Sequence, residues 1–146
     1  MKFICNKDTI LSVVQTTSKA AAGKSSIQAL EGILMELEGN TLTVTGYDLD
    51  IGIKTSIEVE GIESGNIVIS AKMAVDIIRK MPSGSITFEC SGNNLAEITN
   101  NMTSFSVSCS SADDYPNVPQ VNPDTSFTMP QKLLKSMIIQ TKFAVA

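Results

Sequence analysis

The sequence predicts an α+β fold in which two copies of a β-α-β-β-β unit pack their helices on one face of antiparallel sheets. Two observations lead to this prediction. Segments that begin at Phe3 and Ile67 each combine a short strand with an amphipathic helix. Each is followed by a pair of alternating strands, in GILMELEGNTLTV from Gly32 and in SITFECSGNNLAE from Ser85. These repeats place the two units at about residues 1–62 and 65–115.

Each unit opens with a strand that leads directly into a helix. FICNKDTILSVVQTTS and IVISAKMAVDIIRKMP share the i, i+3, i+4, i+7 spacing that turns one helix face toward a core, and FTMPQKLLKSMIIQTK from Phe127 repeats it. Asn6 and Ser70 are predicted N-caps, and Pro130 suits a first helical position. The predicted core stripes are Ile10, Val13, Val14 and Thr17; Ala74, Ile77, Ile78 and Met81; and Leu134, Met137, Ile138 and Thr141.

The strand pairs after the two helices align with each other. Gly39-Asn40 and Gly92-Asn93 fall at the same place and predict a hairpin turn in both copies. Alternation continues through LTVTGYDLDIGIKTSIEV and SFSVSCS, which predicts further strands with one buried face. The alignment matches Ile33, Met35, Leu37 and Leu42 with Ile86, Phe88, Cys90 and Leu95.

The chain divides into one domain and the beginning of another. We predict a first domain over residues 1–121, followed by a linker and the start of a second domain over residues 122–146. The segment DDYPNVPQVNPD contains three prolines, which favours an extended connection. The third strand-and-helix segment has no strands behind it, so its apolar stripe lacks a partner. We therefore expect the 146 residues to be a piece of a longer protein.

The composition limits the chemistry that the chain can perform. It has no histidine, which excludes His-dependent general bases, Ser-His and Cys-His nucleophile pairs and most zinc sites, and it has no Gly-rich phosphate-binding motif. Cys5, Cys90 and Cys109 are widely spaced, which predicts reduced thiols in a cytoplasmic protein. No apolar run is long enough to cross a membrane, and MKFICNKD lacks the apolar core of a secretory signal. We predict no cofactor, no catalytic residue and no metal ligand.

Asp48 and Asp50, in TGYDLD, present the strongest case for an alternative enzymatic function. In an extended strand the two carboxylates point to the same face, so a carboxylate metalloenzyme could be centred on them. A catalytic metal site normally gathers further carboxylates, and the nearest acids, Glu58 and Glu60, belong to a separate strand. We interpret the pair as an exposed acidic face of a strand.

Charge is sorted between the helices and the rest of the chain. The helical segments and the loop after the first helix carry nine cations against two acids, a net charge of +7, whereas the remainder carries two cations against thirteen acids, −11. At about 100° per residue, Lys72 and Arg79 lie opposite their helix's apolar stripe, and Lys19 and Lys132 lie at comparable angles. This pattern favours a surface that binds a phosphate backbone without reading bases. The alternative is a non-catalytic, β-rich protein–protein adaptor whose helix lysines only aid solubility.

The chain resembles a known family over its whole length. MKF, TGYDLDI, IVISAKMAVDIIRKMP, SADDYPNVP and FTMPQKLLKSMIIQTKFAVA, in this order and spacing, are similar to the bacterial DNA polymerase III beta subunit, the replicative sliding clamp. The resemblance implies a DNA-clamp fold and a homodimeric ring, with helices around a hole for double-stranded DNA. It also implies a processivity factor that tethers the polymerase without catalysis. The family's pocket for polymerase and clamp-loader peptides lies between later domains.

The resemblance also assigns roles to individual residues. Lys24, in AAAGKSSIQ, matches a basic DNA-contacting loop position, and Lys72 and Arg79 match basic positions at the two ends of the second helix. Phe105 matches a position at the protomer interface. Alternatives remain for three of them: Lys24 as a solvated loop lysine, Lys72 paired with Asp76 at i+4, and Phe105 as a core residue of its strand.

Overall fold

The structure is a computed structural model that describes residues 1–92, 94–119 and 126–145. The strands are β1 (Lys2–Asn6), β2 (Gly32–Glu38), β3 (Thr41–Tyr47), β4 (Gly52–Glu58), β5 (Glu60–Glu63), β6 (Gly65–Ser70), β7 (Ser85–Cys90), β8 (Leu95–Thr99) and β9 (Ser104–Ser110). The helices are α1 (Lys7–Thr17), α2 (Ala71–Lys80) and α3 (Gln131–Thr141), with short 3-10 turns at Ser18–Ala20, Gln28–Glu31, Ala112–Asp114 and Lys142–Ala144. In this part of the chain, no helix has the length and apolar character needed to cross a membrane.

The strands form one antiparallel sheet in the order β4-β3-β2-β6-β9-β8-β7-β1-β5. The two units exchange their first strands: β1 pairs with β7 of the second unit, and β6 pairs with β2 of the first. The predicted α+β fold with antiparallel strands is therefore confirmed. Each unit therefore contributes its first strand to the strands of the other.

The last strand of each unit changes its partner along its length. β4 pairs with β3, and beyond Val59 the chain continues as β5 along β1. Val59 is buried and its N–H donates to the Asn40 carbonyl at 2.8 Å, while the Gly61 N–H donates to Asn40 Oδ1 at 3.1 Å. The predicted Gly39-Asn40 turn thus holds this crossing in place. β9 makes the equivalent change, from β8 to β6, without an interruption.

The helices follow the predicted pattern closely. Asn6 Oδ1 accepts hydrogen bonds from the Asp8 and Thr9 N–H groups, and Ser70 Oγ accepts one from the Met73 N–H, so both predicted N-caps are confirmed. The predicted stripes of α1 and α2 are buried in one core cluster with the inward faces of strands from both units. Pro130 precedes α3 at the N-cap position, with ψ 130°, and does not occupy the first helical position.

One predicted match between the strand pairs is wrong. Leu42 lies opposite Leu37 in the first hairpin, but Ala96, not Leu95, lies opposite Cys90 in the second. The second turn is one residue longer, so the alternation shifts, and Leu95 is 48 % exposed while Ala96 is fully buried. Asn94 adopts a left-handed φ of 54° in this turn, and Asn93 of the predicted Gly92-Asn93 pair lies outside the described residues.

The predicted linker begins as a segment docked on the first domain. Tyr115 is buried with Leu30, Tyr47 and Val68, and Val118 packs beside them. The Tyr115 hydroxyl donates to the Thr45 carbonyl at 3.3 Å. Burial raises the pKa of Tyr115 to about 12. Residues 120–125 of the predicted linker, and with them the predicted boundary at 121, lie outside the described residues.

Candidate nucleic-acid interface

The outward face of α2 carries two of the predicted DNA contacts. Lys72 and Arg79 are exposed, seven residues apart, on the side of the helix opposite the buried Ala74, Ile77 and Ile78. Arg79 Nη1 lies 3.8 Å from Asp76 Oδ1. Asp76 is therefore the partner of Arg79, and within the described residues Lys72 has no carboxylate within 4.0 Å. The pairing of Lys72 with Asp76 that the spacing allowed is absent.

A groove joins α2 to the segment that follows α1. Ser18, Ala21, Ala22 and Gly23 line one wall, and the α2 residues Lys72, Val75, Asp76 and Arg79 line the other. Lys19 and Lys24 lie in and directly after this segment, and both are exposed. The structure thus brings four of the five predicted DNA-contacting residues to two neighbouring elements. Because α1 and α2 pack side by side, these elements share one surface.

Glu31 holds the Lys24 loop, a role that sequence reasoning missed. Its Oε1 accepts a hydrogen bond from the Ser25 N–H at 3.2 Å, and its side chain also lines the groove. The Ser25 hydroxyl in turn accepts from the Ile27 N–H at 3.1 Å. These bonds give the loop around Lys24 a defined path. An acid seven residues after a loop lysine was the only available signal, and it is too common a pattern to identify such a contact.

Lys132 and Lys7 lie apart from this surface. Lys132 is on α3, whose side chains are exposed along the whole helix, and it is not among the residues that line the groove. The Lys7 side chain is only 12 % exposed, and its Nζ lies 3.4 Å from Asp8 Oδ1. Of the five predicted DNA contacts, Lys72 and Arg79 therefore line the groove, Lys19 and Lys24 belong to or directly follow its other wall, and Lys132 lies on α3.

Phe105 lies on β9, on the same side of the strand as the buried Val107. It is half-buried, packs against the main core and lies opposite Ile98 of β8. Among the described residues, Ser104–Ser108 pair only with β8, because the pairing of β9 with β6 is confined to Cys109 and Ser110. Phe105 is therefore a core residue beside an open strand edge.

Asp48 and Asp50 do not form an acidic strand face, which corrects the interpretation drawn from their spacing. β3 ends at Tyr47, and the two acids belong to the turn before β4. Asp48 Oδ1 accepts hydrogen bonds from the Ile51 N–H at 2.7 Å and the Asp50 N–H at 3.0 Å, which lower the pKa of Asp48. Asp48 thus caps the turn, and no cluster of three or more candidate metal ligands occurs within the described residues.

Comparison with known proteins identifies relatives over the whole chain. A family model described as the N-terminal domain of the DNA polymerase III beta subunit matches residues 1–119. The beta sliding clamp of Halalkalibacterium halodurans is 32 % identical over an alignment that covers 100 % of this chain and 40 % of the relative. This chain therefore spans about two fifths of the length of that relative.

Solved structures give the same result. The DNA polymerase sliding clamp of Bacillus subtilis superposes with a TM-score of 0.88 at 32 % identity, covering 100 % of this chain and 40 % of that chain. The beta subunit from the DNA polymerase of Streptococcus pyogenes superposes with a TM-score of 0.90 at 26 % identity, with the same coverage. The similarity thus extends through the residues of both units and through α3.

Proposed function

This chain belongs to the family of DNA polymerase III beta subunits, and we propose that it supplies the first domain and the start of the second domain of a sliding clamp. The complete protein closes into a ring around double-stranded DNA and tethers the replicative polymerase, as a non-catalytic subunit of that holoenzyme. No cofactor or metal enters this function. We place the protein in the cytoplasm, where bacterial DNA is replicated.

One observation carries the proposal: exposed cations of two neighbouring elements lie around one groove. Lys72 and Arg79 project from α2 away from the core and line the groove, while the exposed Lys19 and Lys24 lie within and directly after the segment that forms the other wall. Among the residues that the structure describes, no aromatic side chain lines the groove, so none of them there is suited to stacking on bases. Long, exposed lysines suit contact with phosphates as point charges. Weak backbone contacts of this kind let a ring slide along DNA of any sequence.

The open edge of β9 supports a second part of the proposal, the contact between protomers. A strand edge with free N–H and C=O groups is a ready partner for another chain's strand. Phe105 lies within that edge and is only half-buried, so a partner strand could cover the rest of its ring. We propose that β9 forms the protomer interface of a homodimeric ring. Polymerase and clamp loader bind through domains beyond this chain.

Topological retention on DNA is the experiment that tests the ring. The complete protein is loaded by its clamp loader onto nicked circular DNA and onto linear DNA of equal length, and retention is measured by gel filtration. We expect the circle to retain the protein and the linear molecule to lose it over its ends. Equal retention on the circular and the linear DNA would contradict the ring hypothesis and would favour a simple DNA-binding or adaptor protein.

A paired substitution tests the assigned surface in the same assay. K24A/K72A should reduce loading onto the circle at least severalfold, with an unchanged unfolding transition because both side chains are exposed. K54A is the control for the loss of a positive charge elsewhere, since Lys54 is 64 % exposed on β4, where it lies 4.0 Å from Glu36 and does not line the groove. If K54A weakened loading as much as the double variant, net charge and not this surface would govern the contact.

A further inference from the structure

Two cysteine side chains that are distant in sequence meet at one end of the sheet. Cys90 is the last residue of β7 and Cys109 lies near the end of β9, and their Sγ atoms are 3.2 Å apart. Both thiols are free and half-buried. The structure therefore contains a close thiol pair that the wide sequence spacing of the cysteines did not predict.

The sheet topology creates this contact. β8 separates β7 from β9, and Cys90 lies opposite Ala96, the second residue of β8. Cys109 lies one residue past Ser108, which pairs with Leu95 at the start of β8. The Cys109 N–H donates to the Asn94 carbonyl at 2.9 Å, which fixes β9 against the beginning of β8. At the same residue β9 passes to β6, where Cys109 lies opposite Ile69. The pair thus lies where β9 changes from one set of strands to the other.

A small solute can reach the pair from outside. Both cysteines line an open cleft of about 330 Å³, together with Gly65, Asn66 and Ser110. The third cysteine, Cys5, is buried on β1, does not line the cleft and has no sulfur contact in the described structure. Access and proximity therefore distinguish Cys90 and Cys109 from Cys5.

We propose that Cys90 and Cys109 are a modification site at which hydrogen peroxide forms a reversible intramolecular disulfide. The Cys90 sulfur attacks the peroxide, its O–O bond breaks, and the products are the Cys90 sulfenic acid and one water. The Cys109 sulfur then attacks the Cys90 sulfur, the S–O bond breaks, and the leaving hydroxide takes the Cys109 proton as a second water. Two thiols are oxidised and one peroxide is reduced. Thiol reductants restore the two thiols by exchange.

The environment of Cys109 disfavours the thiolate that would attack peroxide. Burial, and next the hydrogen bond with Cys90, raise the pKa of Cys109 to about 12, so it keeps its proton near neutral pH. Burial also raises the pKa of Cys5 to about 12, and that thiol has no partner sulfur. The disulfide would tie the end of β7 to β9, the strand whose open edge contains Phe105.

The test measures which sulfurs pair and how favourable the pairing is. The folded protein is equilibrated in glutathione redox buffers, or treated with hydrogen peroxide, and free thiols are blocked. Cleavage after Glu97 separates the two cysteines, so mass spectrometry can identify the link. We expect a species lighter by two hydrogen atoms that contains the Cys90–Cys109 bond. The effective concentration of one thiol relative to the other should be at least about tenfold higher in the folded protein than in urea, because folding holds the two sulfurs together.

Three variants make the result decisive. C5S should form the bond as the wild type does, whereas C90S and C109S should form no intramolecular disulfide. Dithiothreitol should reverse the modification completely. An effective concentration no higher in the folded chain than in urea would overturn the proposal. Disulfides that contain Cys5 as often as Cys90 or Cys109 would also overturn it. Both of these measurements use the wild-type protein, so they do not depend on whether the variants fold.

Discussion

Leu49 has a backbone conformation that its side chain disfavours. Its φ is 81°, in the turn between β3 and β4, and its side chain is 54 % exposed. A left-handed conformation costs a residue with a Cβ roughly 1–2 kcal/mol, and glycine avoids this cost. We expect L49G to raise the free energy of unfolding by about 0.5–1 kcal/mol, after the larger entropy of an unfolded glycine is subtracted.

Urea denaturation measures this effect, with L49A as its control. Alanine keeps the Cβ, so L49A should lie within about 0.5 kcal/mol of the wild type. A fall in stability for L49G would show that the leucine side chain makes a contact worth more than the backbone cost.

Asp48 makes the same turn sensitive to acid. Hydrogen bonds from the Ile51 and Asp50 N–H groups hold the pKa of Asp48 below its usual range in the folded state. The stabilisation is therefore complete above the unfolded pKa, about 3.9, and is lost as pH falls through the lower folded pKa. D48N should be less stable than the wild type near neutral pH, because a carboxylate accepts stronger hydrogen bonds than an amide.

The difference in stability between wild type and D48N should then shrink as pH falls below about 4. The midpoint of urea denaturation, measured at each pH, reports this difference. D50N is the control for charge, since the Asp50 side chain accepts no hydrogen bond in the described structure. If the difference were constant from neutral to acid pH, Asp48 would not be the acid-sensitive group of this turn.

Residue-level prediction from the sequence succeeded where one local interaction decides the outcome. The N-caps at Asn6 and Ser70 needed only a short polar side chain before an apolar stripe. It failed at Asp48 and Asp50, because the alternation of apolar residues continues across the turn and hides it. The left-handed conformation of Leu49 could not be predicted from the sequence, since turns of this kind usually contain glycine or asparagine at that position.

On the outward face of strands β1, β7 and β8, two acidic residues on neighbouring strands lie directly opposite each other. Glu89 of β7 and Glu97 of β8 are cross-strand partners, and Lys2 of β1 lies on the other side of Glu89 with its Nζ 2.8 Å from the Glu89 carboxylate. Like charges directly opposite each other destabilise a sheet by some tenths of a kcal/mol. We expect E97K to raise the free energy of unfolding by about 0.5 kcal/mol at low salt.

The control is E58K, which makes the same change in net charge. Glu58 lies opposite the uncharged Thr41, so E58K removes no opposed pair. Both proteins are compared by urea denaturation at low and at high salt, and the advantage of E97K should shrink as salt rises. An equal gain for both variants would attribute the effect to the acidic net charge of the chain and not to this pair.

At the scale of elements, the sequence predicted the secondary structure of each segment better than the pairing of the strands. The two helices and their buried stripes follow from apolar spacing alone. The exchange of β1 and β6 between the units does not, because an apolar strand face is equally satisfied by any neighbour of the right register. The shift at Leu95 has a similar cause, since the apolar pattern of each strand does not show that the turn between them has one extra residue.

For the whole molecule, the separation of charge predicted from the sequence holds on the described first domain in outline. Lys72 and Arg79 line the groove between α2 and the segment after α1, together with the acids Glu31 and Asp76. Lys19 lies within that segment and Lys24 directly after it, and both are exposed. Acids occupy the outward positions of the strands, at Glu36, Glu38, Glu58, Glu89 and Glu97. The charge count alone could not show that the Lys7 side chain is largely buried, or that Lys132 lies on a helix apart from the groove.

This arrangement makes a quantitative prediction for DNA association. Each lysine that neutralises a phosphate releases counterions, so the slope of log K against log salt changes by about 0.9 for every such contact. With about 2–4 phosphate contacts for this domain, the wild-type contribution to the slope is about −2 to −4. K24A/K72A should make the slope less steep by close to 2 for each protomer in which both residues touch phosphate, for DNA of any sequence.

Fluorescence anisotropy of the complete protein on short duplexes, at several salt concentrations, measures the slope. K54A leaves the groove intact and should keep the wild-type slope, because Lys54 lies on β4 beside Glu36. Two duplexes of unrelated sequence should give the same change, since contacts to phosphates carry no information about base sequence. A slope unaltered in K24A/K72A would mean that phosphates do not meet these lysines, and the proposed orientation of the domain toward DNA would have to be abandoned.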